Sequence, residues 1–419
     1  MSKTSVSGRI LINTITQILS KVFAVGLSII SVALLARYLG AEKYGWFTLV
    51  FTYVSFFTTL ADVGYNQTIV RELSLDIKRS RDAYATFFNI KILLIVISII
   101  AAFIGLGFTP YESDLKIAII IGIAALTISN LSSYGTSILQ SRLRLDLVSL
   151  LDLFTKSVTV VCIYFFIRYD LGFYSIIYAV LIGNVAGMIV EYFFVQDWIV
   201  LSLHFDKKIA SNILKISLPV GLTAILTMLY FKIDTLMLSM IRSPVEVGIY
   251  ALAYKVLDNI IMLWGLIMAS IFPLLSKYHG NADHNSYRRL VKNALLIAIG
   301  LSCFMILIGN TSAPLIMRIL GGSKFYSSIE PFKILLYAVP FLFINNIFFN
   351  IILSFGKTNY LIIPLLSSLV LTILLNAFII PLYGYIGASY VTILTELITS
   401  SVYMYILFSR FKAQKVYLL

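Results

Sequence analysis

Residues 230 to 258 read YFKIDTLMLSMIRSPVEVGIYALAYKVLD, and they set two lysines and two aspartates inside apolar runs. Lys232, Asp234, Lys255 and Asp258 are residue types that can hold a phosphate, carry a proton or pair with one another. A charge left in lipid is costly, so such residues face a protein interior or a hydrated cavity. Three further lysines, Lys21, Lys91 and Lys156, and one aspartate, Asp62, lie in other apolar runs. The five lysines suit an anionic ligand, phosphate above all, and form the candidate substrate-binding set. Asp62, Asp234 and Asp258 are the candidates for ion coupling or for ion pairs within a cavity. Pairing Lys232 with Asp258, or Lys255 with Asp234, would neutralise these charges when no ligand is bound, and spacing alone does not choose between the two. Lys232 and Asp234 are two apart, nearly opposite on a regular helix, so they need a kink or separate roles. The competing reading makes all of these structural ion pairs and snorkelling lysines, which Lys91 would fit.

The elements that must position them are set by composition. Of 419 residues, 60% are hydrophobic and 12% charged, and the mean hydropathy is +0.95. A soluble chain of this length needs far more polar surface. Apolar runs near 9–36, 46–69, 83–108, 115–140, 147–168, 171–195, 211–240, 247–274, 290–311, 331–354, 360–380 and 384–408 predict twelve transmembrane helices. With the N-terminus inside, nineteen lysines and arginines fall on the cytoplasmic side and eight on the other. That asymmetry places both termini in the cytoplasm of a multi-pass cell-membrane protein. It also accounts for the net charge of +13 without a nucleic-acid partner. Lys21 interrupts the first apolar run, which reads as a retained span and not as a signal peptide.

Polar residues line single faces of several spans at steps of three and four. Asn13, Gln17 and Lys21 do so in span 1, and Thr52, Ser55, Thr59, Asp62 and Asn66 in span 2. Ser129, Ser133, Thr136 and Gln140 mark span 4, and Thr223, Thr227, Tyr230 and Asp234 mark span 7. Gly183 and Gly187 predict close packing of span 6 within the fold. Segments 39–54 and 243–258 resemble each other, as do 170–179 and 382–391, with glycine offsets of 203 and 212. Such an internal repeat predicts two six-helix lobes, residues 1–200 and 201–419. Cys162 and Cys303 lie far apart with no metal or redox spacing. GxxxxGK[ST], HExxH, GxSxG and GxGxxG are absent, which argues against an enzyme or a P-loop ATPase.

The motifs together resemble a known family. Arg37 through Gly45 carry an Arg–Leu–Gly–x–x–x–Tyr–Gly type of approach to span 2; IDT at 233–235 precedes VGIYALAYKV at 247–256; and N-x-x-x-IPLYGYIGA occupies 376–388. The chain resembles the polysaccharide transporter, O-antigen flippase-like family of the multidrug/oligosaccharidyl-lipid/polysaccharide exporter superfamily. The resemblance implies an all-α polytopic membrane protein, with about twelve helices in two six-helix lobes around a central cavity, similar to the MATE fold. It implies a flippase that moves a polyprenyl-diphosphate-linked oligosaccharide from the inner to the outer leaflet by alternating access. By position, Lys21, Asp62, Lys232, Asp234 and Lys255 would face the cavity. Relatives often carry arginine where this chain has lysine, which loses the bidentate fork. The implied partners are the anionic lipid-linked oligosaccharide, membrane lipid and the polysaccharide polymerase machinery, with the protein a monomer and no cofactor beyond a coupling proton or sodium ion. The alternatives are a MATE-like cation-coupled multidrug exporter, which would prefer an acidic cavity, and a non-transporting scaffold for polysaccharide assembly.

Overall fold

A computed structural model describes residues 6–74, 81–200, 202 and 205–410. Among these the chain is helical throughout: α1 Val6–Asp62, α2 Tyr65–Ser74, α3 Arg81–Gly107, α4 Ser113–Ser141, α5 Leu145–Arg168, α6 Gly172–Val195, α7 Lys207–Ile241, α8 Pro244–Gly280, α9 His284–Gly321, α10 Ile329–Leu336, α11 Val339–Ser354 and α12 Ile362–Arg410. Nine helical runs of the described residues are long and apolar enough to cross a membrane, with Val339–Ser354 a shorter apolar helix. Some of these runs are too long to be one straight crossing. At 1.5 Å per residue, the 53 residues of Val22–Ser74 would reach about 80 Å, against about 30 Å of hydrocarbon.

Glycines cut the long runs. Gly40 (φ 68°, ψ 179°) kinks α1, and Gly384 (φ 54°, ψ −140°) kinks α12. The second kink is braced. Pro381 cannot donate to the helix ladder, and the Arg242 guanidinium donates to the carbonyls of Ile380 and Pro381, each at 3.0 Å. Arg242 is therefore a carbonyl clamp as well as a positive flank of α7.

Two compact units emerge: Met1–Leu39 with Val50–Met228, and Gly40–Leu49 with Leu229–Leu419. In the first, α4, α5 and α6 pack closely because small residues allow it. A Cβ added at Gly183 or Gly187 would run into Thr159 or Thr155 of α5. A core of Tyr65, Ile69, Phe87, Tyr134, Ile138 and Ile213 joins α2, α3, α4 and the first half of α7. In the second, the start of the span-2 segment meets the start of α8 backbone to backbone. A Cβ at Gly45 would enter the Pro244 carbonyl, and one at Gly248 would enter the Ala41 carbonyl. Both pairs are related by the offset of 203, so the two like segments touch in a reciprocal, two-fold manner.

Candidate functional site

The second unit holds the charges of the 230–258 segment, and it separates them. Lys232 pairs with Asp258 of α8 at 3.4 Å, with side chains 35% and 28% exposed. Its ammonium also lies 5.8 Å from the centre of the Tyr254 ring. Asp234 points the other way and is buried. Asn376 of α12 donates to its Oδ1 at 2.6 Å, while the Thr392 and Tyr250 hydroxyls donate to Oδ2 at 3.3 and 3.4 Å. The near-opposite geometry of positions two apart is thus resolved without a kink: one is partly exposed and the other turns into a polar interior. Of the two pairings the sequence allowed, Lys232–Asp258 forms. No basic side chain pairs with Asp234 among the described residues.

The other expected site residues are dispersed. Lys255 is half-buried on α8. Lys156 is exposed and pairs with Asp152 one turn away at 2.7 Å. Lys91 is fully buried; its Nζ has no hydrogen-bond partner and lies 5.5 Å from the centre of the Tyr65 ring. Buried without such a ring face, an ammonium would cost several kcal/mol, on the order of the penalty for any desolvated ion; the ring offsets ~2 kcal/mol of that. Asp62 caps α2, its Oδ1 accepting from the Asn66 backbone N–H at 3.0 Å. Lys21 lies on α1, with its side chain outside the described residues.

Two carboxylates that the sequence reading did not single out belong with this set. Glu191 of α6 is buried and accepts from the hydroxyls of Ser132 and, at 2.7 Å, Thr136 on α4. Of the span-4 stripe, Thr136 therefore serves Glu191, while Ser133 donates to Asn66 at 3.3 Å. Glu396 of α12 is buried and accepts from Tyr230 and, at 2.8 Å, from Asn345 of α11. A signal was present: Glu191 follows Gly187 by one turn, and Glu396 sits in a run of Thr392, Thr395, Thr399 and Ser400. Elsewhere in the first unit, a small cleft is lined by Phe57, Thr58, Ser98, Thr127 and Asn130 among others. Its Thr58 and Thr127 hydroxyls and the Ser98 hydroxyl are spent on backbone carbonyls, which leaves the cleft poor in free donors.

This arrangement offers a partly exposed ammonium–carboxylate pair and a buried carboxylate held by donors, and comparison with known proteins says in which context. A family model described as "Polysaccharide biosynthesis protein" matches residues 10–279. The chain belongs to that family. It is a membrane transporter of the multidrug/oligosaccharidyl-lipid/polysaccharide exporter superfamily, and not an enzyme; a second model, MatE, matches residues 219–378. A "Putative O-antigen transporter" of Shigella flexneri is 22% identical, over 87% of this chain and 89% of that protein. Among solved structures, the fold is similar to the lipid II flippase MurJ in an inward closed conformation, with TM-score 0.75, 17% identity and coverage of 97% of this chain and 90% of that one. It is similar as well to an inward-facing multidrug resistance MATE family transporter, with TM-score 0.74, 17% identity and coverage of 93% and 94%. The MATE-like all-α fold expected from the motifs is therefore present in this chain.

Proposed function

We propose that this family member flips a lipid-linked, polyprenyl-diphosphate-type oligosaccharide from the inner to the outer leaflet, for surface polysaccharide assembly. The lobes expected at 1–200 and 201–419, six helices each, would alternate access, driven by an ion handled at Asp234. The observation that carries the reading is the Lys232–Asp258 pair beside that buried carboxylate on one helix. A pair about a third exposed contributes at most ~1 kcal/mol. A charge-assisted hydrogen bond to phosphate contributes ~1.5–3 kcal/mol, so a diphosphate can displace Asp258 from the lysine. Lys255 on the same helix as Asp258 supplies a second ammonium near that position, and Lys21 a third by position on the family pattern. Lys91 and Lys156 are kept as candidates only for a conformation that uncovers the first and unpairs the second.

In cells that depend on the protein for a surface glycan, Lys232→Ala and Lys255→Ala are expected to reduce export at least about tenfold at matched protein levels, the loss of ~1.4 kcal/mol of phosphate binding. Arginine at either position is expected to restore part of it, since the charge is kept. Normal export by both alanine variants would remove the phosphate role.

A second reading, cation-coupled multidrug export, has its own support. The MatE match covers the segment with Asp234 and Asn376, the solved structures of the fold include multidrug transporters, and the deeply buried groups of the second unit are the acids Asp234 and Glu396 rather than lysines. The family model and the Shigella flexneri relative weigh for the first reading, the MatE match and the multidrug transporter structures for the second. Resistance to cationic dyes, gained on expression in a sensitive host with no change in surface glycan, would decide for multidrug export.

The orientation proposed with this function is cytoplasmic for both termini. Glu112→Cys, before α4, is expected to react with an impermeant thiol reagent in intact cells, and Ala282→Cys, between α8 and α9, only after permeabilisation. Labelling of both from the same side would overturn the twelve-span map.

A further inference from the structure

Glu396 is a buried charge this function leaves unused. It lies on α12 one turn beyond Thr392, whose hydroxyl donates to Asp234. Its Oε1 accepts from the Tyr230 hydroxyl of α7 and its Oε2 from the Asn345 amide of α11. The Ser400 hydroxyl in turn donates to Asn345 Oδ1 at 2.7 Å, which fixes the amide with its N–H₂ toward the carboxylate. Both side chains that hydrogen-bond the Glu396 carboxylate are donors. Asp234 has a different setting. Asn376 gives it an N–H, but the Oδ1 of Asn376 and the Oγ1 of Thr372, one turn earlier, are buried and have no partner. The Asn376 oxygen is left over beside Asp234, as suits a bound cation, whereas Glu396 is surrounded as suits a carboxylate that gains and loses its own proton.

The charged and titratable groups facing the two are few. Tyr230 comes from α7, Tyr250 and Tyr254 from α8, Tyr403 from α12, and the Lys232–Asp258 pair lies past the Tyr254 ring. Neither carboxylate has a basic partner among the described residues, and Glu396 feels the charge of Asp234. Two anions in one buried polar string, with no counter-cation, repel. We propose that Glu396 is a second ion-handling carboxylate, a proton station that empties when a cation occupies Asp234 and fills when that cation leaves. The step balances: the Glu396 O–H bond breaks, the carboxylate keeps the electron pair, the proton goes to water, and the incoming cation replaces its charge. The inference rests on the cation-coupling reading of Asp234.

The test uses the purified full-length protein in detergent. Thermal unfolding is followed against NaCl, with choline chloride holding ionic strength, from about pH 5.5 to about pH 8.5. A proton competing with Na⁺ at Asp234 alone makes the half-saturating Na⁺ concentration fall by at most about tenfold per pH unit. Release of a second proton from Glu396 makes the wild-type fall steeper than that. Glu396→Gln is expected to bring it back to tenfold or less, while Na⁺ still stabilises. Tyr230→Phe, which takes one donor from the ionised carboxylate, is expected to keep the steep region but move it to higher pH. A wild-type slope that Glu396→Gln leaves unchanged overturns the inference; if that variant does not fold, an unmoved Tyr230→Phe profile does so. Absence of any Na⁺ stabilisation in the wild type, matched by Asp234→Asn, would instead overturn the reading of Asp234 and take this inference with it.

Discussion

Asp234→Asn is expected to abolish ion-driven transport while leaving folded protein in the membrane. The carboxamide occupies the same volume, and its oxygen can still accept from Asn376 or from the Thr392 and Tyr250 hydroxyls that hold the aspartate now. What it cannot do is carry a negative charge, and among the described residues its hydrogen-bond partners Asn376, Thr392 and Tyr250 include no acid to replace it. Initial rates under an imposed ion gradient should fall by at least about 100-fold, equivalent to ~2.7 kcal/mol of barrier. Without a gradient, wild type and variant should differ little. A purely structural aspartate predicts the reverse, a lower melting temperature with the gradient response intact in the surviving protein. Asp258→Asn is expected to be milder, because its partner Lys232 is partly exposed and can be solvated.

Gly248→Val is expected to remove the folded protein altogether. At Gly248 any Cβ falls inside the Ala41 carbonyl, and the atoms in the way are backbone, which cannot rotate aside. The two helix starts would have to separate by more than an ångström, and the reciprocal contact of Gly45 with Pro244 would open with them. Overpacking against side chains costs ~1–3 kcal/mol; against a rigid backbone pair the cost is at the upper end or above. Gly300→Val, on α9 where nothing lies within 4 Å, is the matched control. Monodisperse elution of a fluorescent fusion checks both: loss for Gly248→Val and Gly45→Val, retention for Gly300→Val. A monodisperse Gly248→Val protein would mean the two helices do not meet in this way.

These two sites differ in how readable they were. The glycine contact is local pattern: like segments at 39–54 and 243–258, each with a glycine before an aromatic-rich helix start, were visible as text, though not that they touch. The Lys232–Asp258 pair was one of two pairings that spacing allowed, and packing of α7 on α8 chose it. The setting of Asp234 was out of reach, because its partners Asn376 and Thr392 lie 142 and 158 residues away. Glu191 and Glu396 were missed for the same reason; each is a single acid in an apolar run, and only the fold shows which hydroxyls and amides turn towards it. Lys91 was readable as a snorkelling lysine near a helix end, but the Tyr65 ring and full burial give it a different setting. Hydropathy marked the kinks as well as the apolar runs, since Gly40 falls in the break between 9–36 and 46–69 and Gly384 follows the break between 360–380 and 384–408.

The central claim is that the transported molecule is a lipid-linked glycan. It is tested most directly by reconstituting the purified protein in liposomes that carry a fluorescent polyprenyl-diphosphate oligosaccharide, and by counting the fraction accessible to an added membrane-impermeant glycan-degrading enzyme. Under an imposed ion gradient, the account predicts that accessibility grows with time in wild-type vesicles, and that Lys232→Ala and Asp234→Asn vesicles stay close to protein-free ones. Wild-type vesicles that leave the oligosaccharide in its starting leaflet, yet take up or expel a cationic dye in response to a Na⁺ or proton gradient, would contradict it.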